Sequence, residues 1–128
     1  MAEDLVAAIT AAGESTRMGG FPKPLLTFDG QRFVERLVDT YAGVGVEPVV
    51  VLGHEASEVR ARADLSAASV RENPAYETGM LSSVRVAVEH ARDRDADGVL
   101  LNPVDCPLTP PAVVEAVATA AAAGGDVV

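Results

Sequence analysis

Leu5 to Lys23 reads L-V-A-A-I-T-A-A-G-E-S-T-R-M-G-G-F-P-K. Leu5 to Thr10 is an unbroken apolar run, the pattern of a strand buried on both faces of a parallel sheet. It empties into a segment, Ala11 to Lys23, that is small, Gly-rich and basic. Glycines let backbone N–H groups come close to an anion, and Arg17 and Lys23 supply charge, so such a loop after a strand is suited to phosphate. The spacing is neither the G-x-G-x-x-G of a dinucleotide site nor the G-K-[ST] ending of a P-loop, and a plain surface connection is the competing reading. Lys23 weighs against the plain connection, because it is the only lysine in the chain and every other basic residue is Arg.

Outward from that stretch, apolar runs recur at Pro48 to Leu52, Ala68 to Arg71 and Gly98 to Asn102, with helix-period segments between them. This alternation predicts βαβ units and an α/β fold, a mainly parallel sheet with helices on it. In the first helix Phe33, Val34, Leu37, Val38 and Tyr41 share a face, and Gly43 and Gly45 end it. A short charged helix is expected at about Ala56 to Ala63. The third helix places Met80, Leu81, Val84, Ala87, Val88 and Ala91 on one stripe, with Ser82, Ser83, Arg85, Glu89 and Arg92 away from it. A fourth begins with Thr109 as N-cap and Pro110 at its first position, and runs to about Ala123.

At 128 residues the chain is expected to form one domain, spanning 1–128. Its net charge of -9 argues against nucleic acid or an anionic membrane as partner, since both would be repelled. A bound anion therefore needs a local positive site or a metal. Cys106 is the only cysteine, so no intrachain disulfide can form, and the N-terminus lacks a basic leader. A soluble, cytoplasmic protein is expected.

In an open parallel sheet, ligands bind outside the carboxyl ends of the strands. Four loops leave those ends: Ala11 to Pro24, Gly53 to Ser57, Glu72 to Thr78 and Pro103 to Pro110. The loops at the other end, Gly43 to Glu47 and Asp93 to Asp97, read as turn-formers and surface charge. In the third site loop Asn73 is pushed to an extended conformation by Pro74, and Gly79 opens the best-patterned helix, offering N–H groups to a ribose, base or phosphate. The alternative is that Thr78, Ser82 and Ser83 only cap that helix. Asp105, between Pro103 and Pro107, is placed to carry Mg²⁺ shared with substrate phosphates, or else to cap a turn. His54 reads as a turn residue, Cys106 as a small buried one, and His90 receives no role. There is no H-x-x-H, C-x-x-C or G-x-S-x-G pattern, which sets aside zinc, thiol-redox and Ser-hydrolase chemistry.

These motifs together resemble the nucleotidyltransferases of Rossmann-like fold, most closely the molybdenum-cofactor cytidylyltransferase-like group. The resemblance rests on A-A-G-E-S-T-R-M-G-G-F-P-K-P-L-L at Ala11 to Leu26, N-P-A-Y-E-T-G-M-L-S-S-V at Asn73 to Val84, and V-D-C-P-L at Val104 to Leu108. It implies a three-layer, nucleotide-diphospho-sugar-transferase-like fold with helices on both faces. By position it assigns the nucleotide to the backbone around Ala12 and Gly13, the triphosphate to Arg17 and Lys23, the base and ribose side to Asn73, Gly79 and Ser82, and Mg²⁺ to Asp105. Arg17, Lys23 and Asp105 would be the catalytic residues.

The implied activity is transfer of NMP from an NTP, CTP favoured and GTP next, to a phosphorylated acceptor such as a molybdopterin-type cofactor, with release of pyrophosphate. A nucleotide-binding module without turnover is the alternative, and a structural domain whose loop takes adventitious anions is a third. The spacer before Pro22 is one residue longer than in the closest group. The family's sheet also continues past the point where this chain ends, so either self-association through an open sheet edge or disorder of the last few residues is expected, with little or no turnover.

Overall fold

A strand that is apolar at nearly every position can be buried only if helices cover both faces of its sheet, and the chain builds that arrangement. The computed structural model describes residues 5–11, 25, 27–28, 30–53, 56–76, 79–104, 112 and 116. Its elements are β1 (Leu5–Ala11), β2 (Thr27–Phe28), β3 (Gln31–Arg32), α1 (Phe33–Gly43), β4 (Glu47–Leu52), α2 (Ala56–Arg62), β5 (Ser69–Glu72), α3 (Met80–Asp93) and β6 (Gly98–Pro103). The main sheet has the order β5-β4-β1-β6, and every neighbouring pair is parallel. The chain steps outward from β1 through β4 to β5 and then returns with β6 on the other side of β1. Strand order thus reverses at β1, a Rossmann-like arrangement.

The alternation of a strand divides β1 between two cores. Leu5, Ala7, Ile9 and Ala11 pack with Val34, Leu37, Val38 and Tyr41 of α1 and with Val59 of α2. Val6 and Ala8 pack with Val49, Val51, Ala87 and Ala91 beneath α3. Alanine at three of the seven β1 positions lets both helix layers approach closely. Both long helices end in Schellman turns. In the first, Val46 N–H donates to Tyr41 O (3.0 Å) and Gly45 N–H to Ala42 O (3.2 Å), with Gly45 at φ +81°. In the second, Ala96 N–H donates to Ala91 O (2.8 Å) and Asp95 N–H to Arg92 O (3.0 Å), with Asp95 at φ 64°.

Two points of the sequence reading need correction. The apolar stripe assigned to α3 is rotated: Leu81 is 62% and Val88 38% exposed, whereas Ser83, Ala87, His90 and Ala91, spaced i, i+4, i+7 and i+8, are buried. Hydrophobicity alone cannot mark this face, because two of its four positions are polar and are satisfied by hydrogen bonds. A two-stranded antiparallel ribbon of β2 and β3 precedes α1 and was not expected. Its signal was the Asp29-Gly30 pair, a hairpin dipeptide, with Gly30 at φ +80°. The end of α1 is as expected, with Gly43 its final residue and Gly45 in the left-handed conformation. The fourth helix lies outside the described residues except for Ala112 and Ala116, which are helical.

The amino edge of the sheet holds more than surface charge. Glu47, at the start of β4, accepts hydrogen bonds from Ser69 Oγ (2.7 Å) of β5 and from His90 Nε2 (3.1 Å) of α3, and it is ion-paired with Arg94. Arg71 Nε donates to His90 Nδ1 (3.0 Å), which leaves the ring proton on Nε2, facing Glu47. Burial opposes the charged carboxylate, but the bonds from Ser69, His90 and Arg94, with the Arg94 charge, outweigh it and hold the Glu47 carboxyl below its usual range. A carboxyl whose folded-state pKa is depressed stabilises the fold above the unfolded value and loses that contribution as pH falls through the folded one. Glu47→Gln is therefore expected to cost about 1–3 kcal/mol at neutral pH, with the gap to the parent closing below about pH 4.5. Urea unfolding of both proteins between pH 7 and pH 3 checks this.

Candidate nucleotide site at the carboxyl edge

Register places the strand ends side by side. Ala11 pairs with Leu52, and Leu52 with Glu72, so the last residues of β1, β4 and β5 form one row. On the other side of β1, Thr10 pairs with Pro103, and Val104 N–H donates to Thr10 O at 3.1 Å. The chain therefore passes into residue 12 and into residue 105 from two adjacent strand ends, at the point where strand order reverses. Among the described residues the buried Thr10 hydroxyl has no hydrogen-bond partner, an exception that native structures rarely leave unexplained.

Tyr41 and Asn102 brace the end of β6. The Tyr41 hydroxyl donates to Asn102 Oδ1 (2.7 Å), and Asn102 Nδ2 donates to Pro103 O (2.9 Å). Burial raises the Tyr41 pKa, which keeps the phenol a donor. Asn102 carries no sequence motif, but a polar residue inside an apolar strand was a signal that could have marked it.

The third loop is organised by Asn73, just past β5 and only 2% exposed. Its backbone N–H donates to Leu52 O (2.6 Å), which ties the loop to the end of β4. Its carboxamide oxygen accepts from Ala75 N–H (2.9 Å), forming an Asx turn. Its amide nitrogen donates to Ser82 Oγ (2.8 Å) and Ser83 Oγ (3.0 Å) in the first turn of α3. The Ser82 hydroxyl also lies 2.7 Å from Gly79 O and 3.1 Å from Ala75 O. These contacts seat the start of α3, the positive end of its dipole, at the carboxyl edge.

Gly79 is the N-cap of α3 and provides no side-chain cap. Its φ of 112° and ψ of 178° fall in a region that only glycine occupies readily, while a Cβ there would meet nothing within 4 Å. The cost of Gly79→Ala is thus backbone strain alone, and thermal unfolding is expected to show a loss of about 1–3 kcal/mol. A loss below about 0.5 kcal/mol would mean that the turn relaxes freely and that glycine is not required.

Asn73, Gly79 and Ser82 thus come together. Ala12, Gly13, Arg17, Lys23 and Asp105 lie outside the described residues, as do His54, Thr78 and Cys106. His90, which was given no role, belongs to the amino-edge cluster. Among the described residues no helix is long and apolar enough to cross a membrane.

The profile of the MobA-like NTP transferase domain family matches residues 7–128. A probable molybdenum cofactor guanylyltransferase of Bacillus cytotoxicus is 28% identical over 103 residues, which is 80% of this chain and 50% of that protein. Rv0371c of Mycobacterium tuberculosis H37Rv superposes with a TM-score of 0.80 at 30% identity, over 96% of this chain and 63% of its own. A complex of Rv0371c with manganese superposes with a TM-score of 0.74 at 28% identity, over 94% and 60%. A nucleotidyl transferase from Methanothermobacter thermautotroptrophicus gives a TM-score of 0.73 at 30% identity, over 90% and 56%. The chain spans between 22% and 50% of the length of the curated relatives it matches.

Proposed function

This chain belongs to the MobA-like NTP transferase domain family, and we propose that it binds a nucleoside triphosphate across the ends of β1 and β6 and the start of α3. On this reading it transfers the nucleotidyl group to a small phosphorylated acceptor. CTP is the favoured nucleotide, with GTP next, and a molybdopterin-type cofactor the favoured acceptor. The observation that carries the reading is the reversal of strand order at β1, closed by the Val104 N–H to Thr10 O bond, with the start of α3 at the same edge. Ligands of open parallel sheets sit at such a switch point, and a helix start favours an anionic ligand.

In the reaction an acceptor phosphate oxygen attacks the α-phosphorus. The new P–O bond forms as the bond to the bridging oxygen of the β-phosphate breaks, and pyrophosphate leaves with that electron pair. No protein nucleophile is required. Catalysis is positional and electrostatic: Arg17 and Lys23 neutralise charge on the phosphoryl oxygens, the backbone at Ala12 and Gly13 holds the nucleotide, and Asn73, Gly79 and Ser82 form the base and ribose side.

Among the described residues there is no group of three or more His, Cys, Asp or Glu that could hold a metal. On this reading one carboxylate, Asp105, would hold the cation together with phosphates and water, which is how Mg²⁺ is commonly bound. When bound, the cation stabilises charge on the phosphates. The manganese complex of Rv0371c supports a divalent-metal requirement.

The test is titration of CTP, GTP and ATP with Mg²⁺, read for binding and for pyrophosphate. Lys23→Ala is expected to weaken NTP binding by about 10–100-fold, the loss of a charge-assisted contact, and to change stability by no more than about 0.5 kcal/mol. Unchanged affinity sinks the phosphate-loop assignment. Binding without pyrophosphate release identifies a nucleotide-binding module without turnover.

A further inference from the structure

The hydrogen bonds around Asn73 fix the polarity of Ser82. We infer that Ser82 accepts a hydrogen bond from the bound nucleoside, from a ribose hydroxyl or a base N–H, and that Asn73 is the positioning residue that makes it an acceptor. This rests on the nucleotide-binding reading above. Ala75 N–H can only donate, so the Asn73 atom facing it at 2.9 Å is the carboxamide oxygen, and the orientation of the amide follows. Its two N–H bonds then go to Ser82 Oγ and Ser83 Oγ.

A serine hydroxyl has one proton and two lone pairs. The carbonyls of Gly79 and Ala75 can only accept, so the Ser82 proton is directed at them, and Asn73 occupies one lone pair. One lone pair remains, on a side chain that is only half-buried. It suits a donor. A phosphate oxygen is itself an acceptor and finds no proton on this hydroxyl. Asn73 is buried, with its amide engaged by Ala75, Ser82 and Ser83, and acts through Ser82 instead of touching the ligand.

The experiment measures affinities of the full 128-residue chain, with Mg²⁺, for CTP, 2′-deoxy-CTP, 3′-deoxy-CTP, UTP and inorganic triphosphate. In the parent, removing the relevant donor is expected to weaken binding roughly three- to tenfold. A loss with a deoxy nucleotide identifies a ribose hydroxyl, and a loss with UTP, which lacks the exocyclic amine, identifies the base. Ser82→Ala and Asn73→Ala are each expected to erase that discrimination and to leave inorganic triphosphate affinity within about twofold of the parent's. Glu47→Gln, which loosens α3 at its far end, is expected to keep the discrimination, an outcome that a general loss of stability does not produce. If Asn73→Ala does not fold, Ser82→Ala carries the test.

Discrimination that survives in Ser82→Ala overturns the acceptor role. Discrimination lost in Ser82→Ala but kept in Asn73→Ala overturns the positioning role. A parent that binds CTP and all its analogues equally overturns both while leaving nucleotide binding in place. A parent that binds no nucleotide overturns the nucleotide reading as well.

Discussion

Asp105→Asn is expected to abolish the divalent-metal dependence of nucleotide binding while leaving the fold intact, and to lower metal-stimulated pyrophosphate release by at least about a hundredfold. A hard cation needs a charged oxygen ligand, and an amide of the same shape supplies only a dipole. The backbone immediately before Asp105 is fixed independently of its side chain, since Val104 is buried and its N–H is bonded to Thr10 O. Loss of charge therefore need not disturb the strand end. Calorimetric titration with NTP, with and without Mg²⁺, separates the outcomes: a metal-dependent affinity equal to the parent's makes Asp105 a turn residue.

The largest effect on stability is expected at the centre of β1. Ile9 is 0% exposed and packs between the sheet and α1, so Ile9→Ala leaves a cavity that surrounding side chains cannot fill completely. Such changes cost about 2–5 kcal/mol, a large part of the roughly 5–15 kcal/mol that holds a domain of this size. Leu81→Ala is the contrast. It removes as much apolar side chain, from a position read from sequence as facing inward, yet that side chain is mostly in water, and the change is expected within about 0.5 kcal/mol. Denaturant unfolding of the two variants distinguishes the observed face of α3 from the expected one: a cost for Leu81→Ala comparable to that of Ile9→Ala restores the original stripe.

The fold was legible where physics left one solution. Leu5–Ala11 is apolar except at Thr10, and Val49 to Leu52 is apolar throughout, so both had to lie inside a two-sided sheet. Asn73, Gly79 and Ser82 were singled out through Pro74 and the helix start, and the fold brings them together at the carboxyl edge. What the sequence did not reveal depends on partners distant in the chain. Ser83 was read as facing away from the core and His90 was given no role, but Asn73 satisfies the first, and Glu47 and Arg71 the second, from other parts of the fold. The burial of Asn73 was equally hidden, because only the folded chain brings Ala75, Ser82 and Ser83 around it. The ribbon at β2 and β3 was missed for another reason: strands of two residues carry too little pattern to read, and the Asp29-Gly30 turn was the only mark.

Hydrogen exchange of the 128-residue chain, with and without saturating CTP and Mg²⁺, tests the central claim most directly, because it asks where on the sheet the nucleotide binds without presuming any contact. Protection is expected at Ala11 to Lys23, at Asn73 to Ser82 and at Val104 to Leu108, with no change at the Schellman turns or around Glu47 and Arg94 at the amino edge. Protection concentrated at that amino edge, or exchange unaltered at a nucleotide concentration that calorimetry shows to be saturating, would contradict the account.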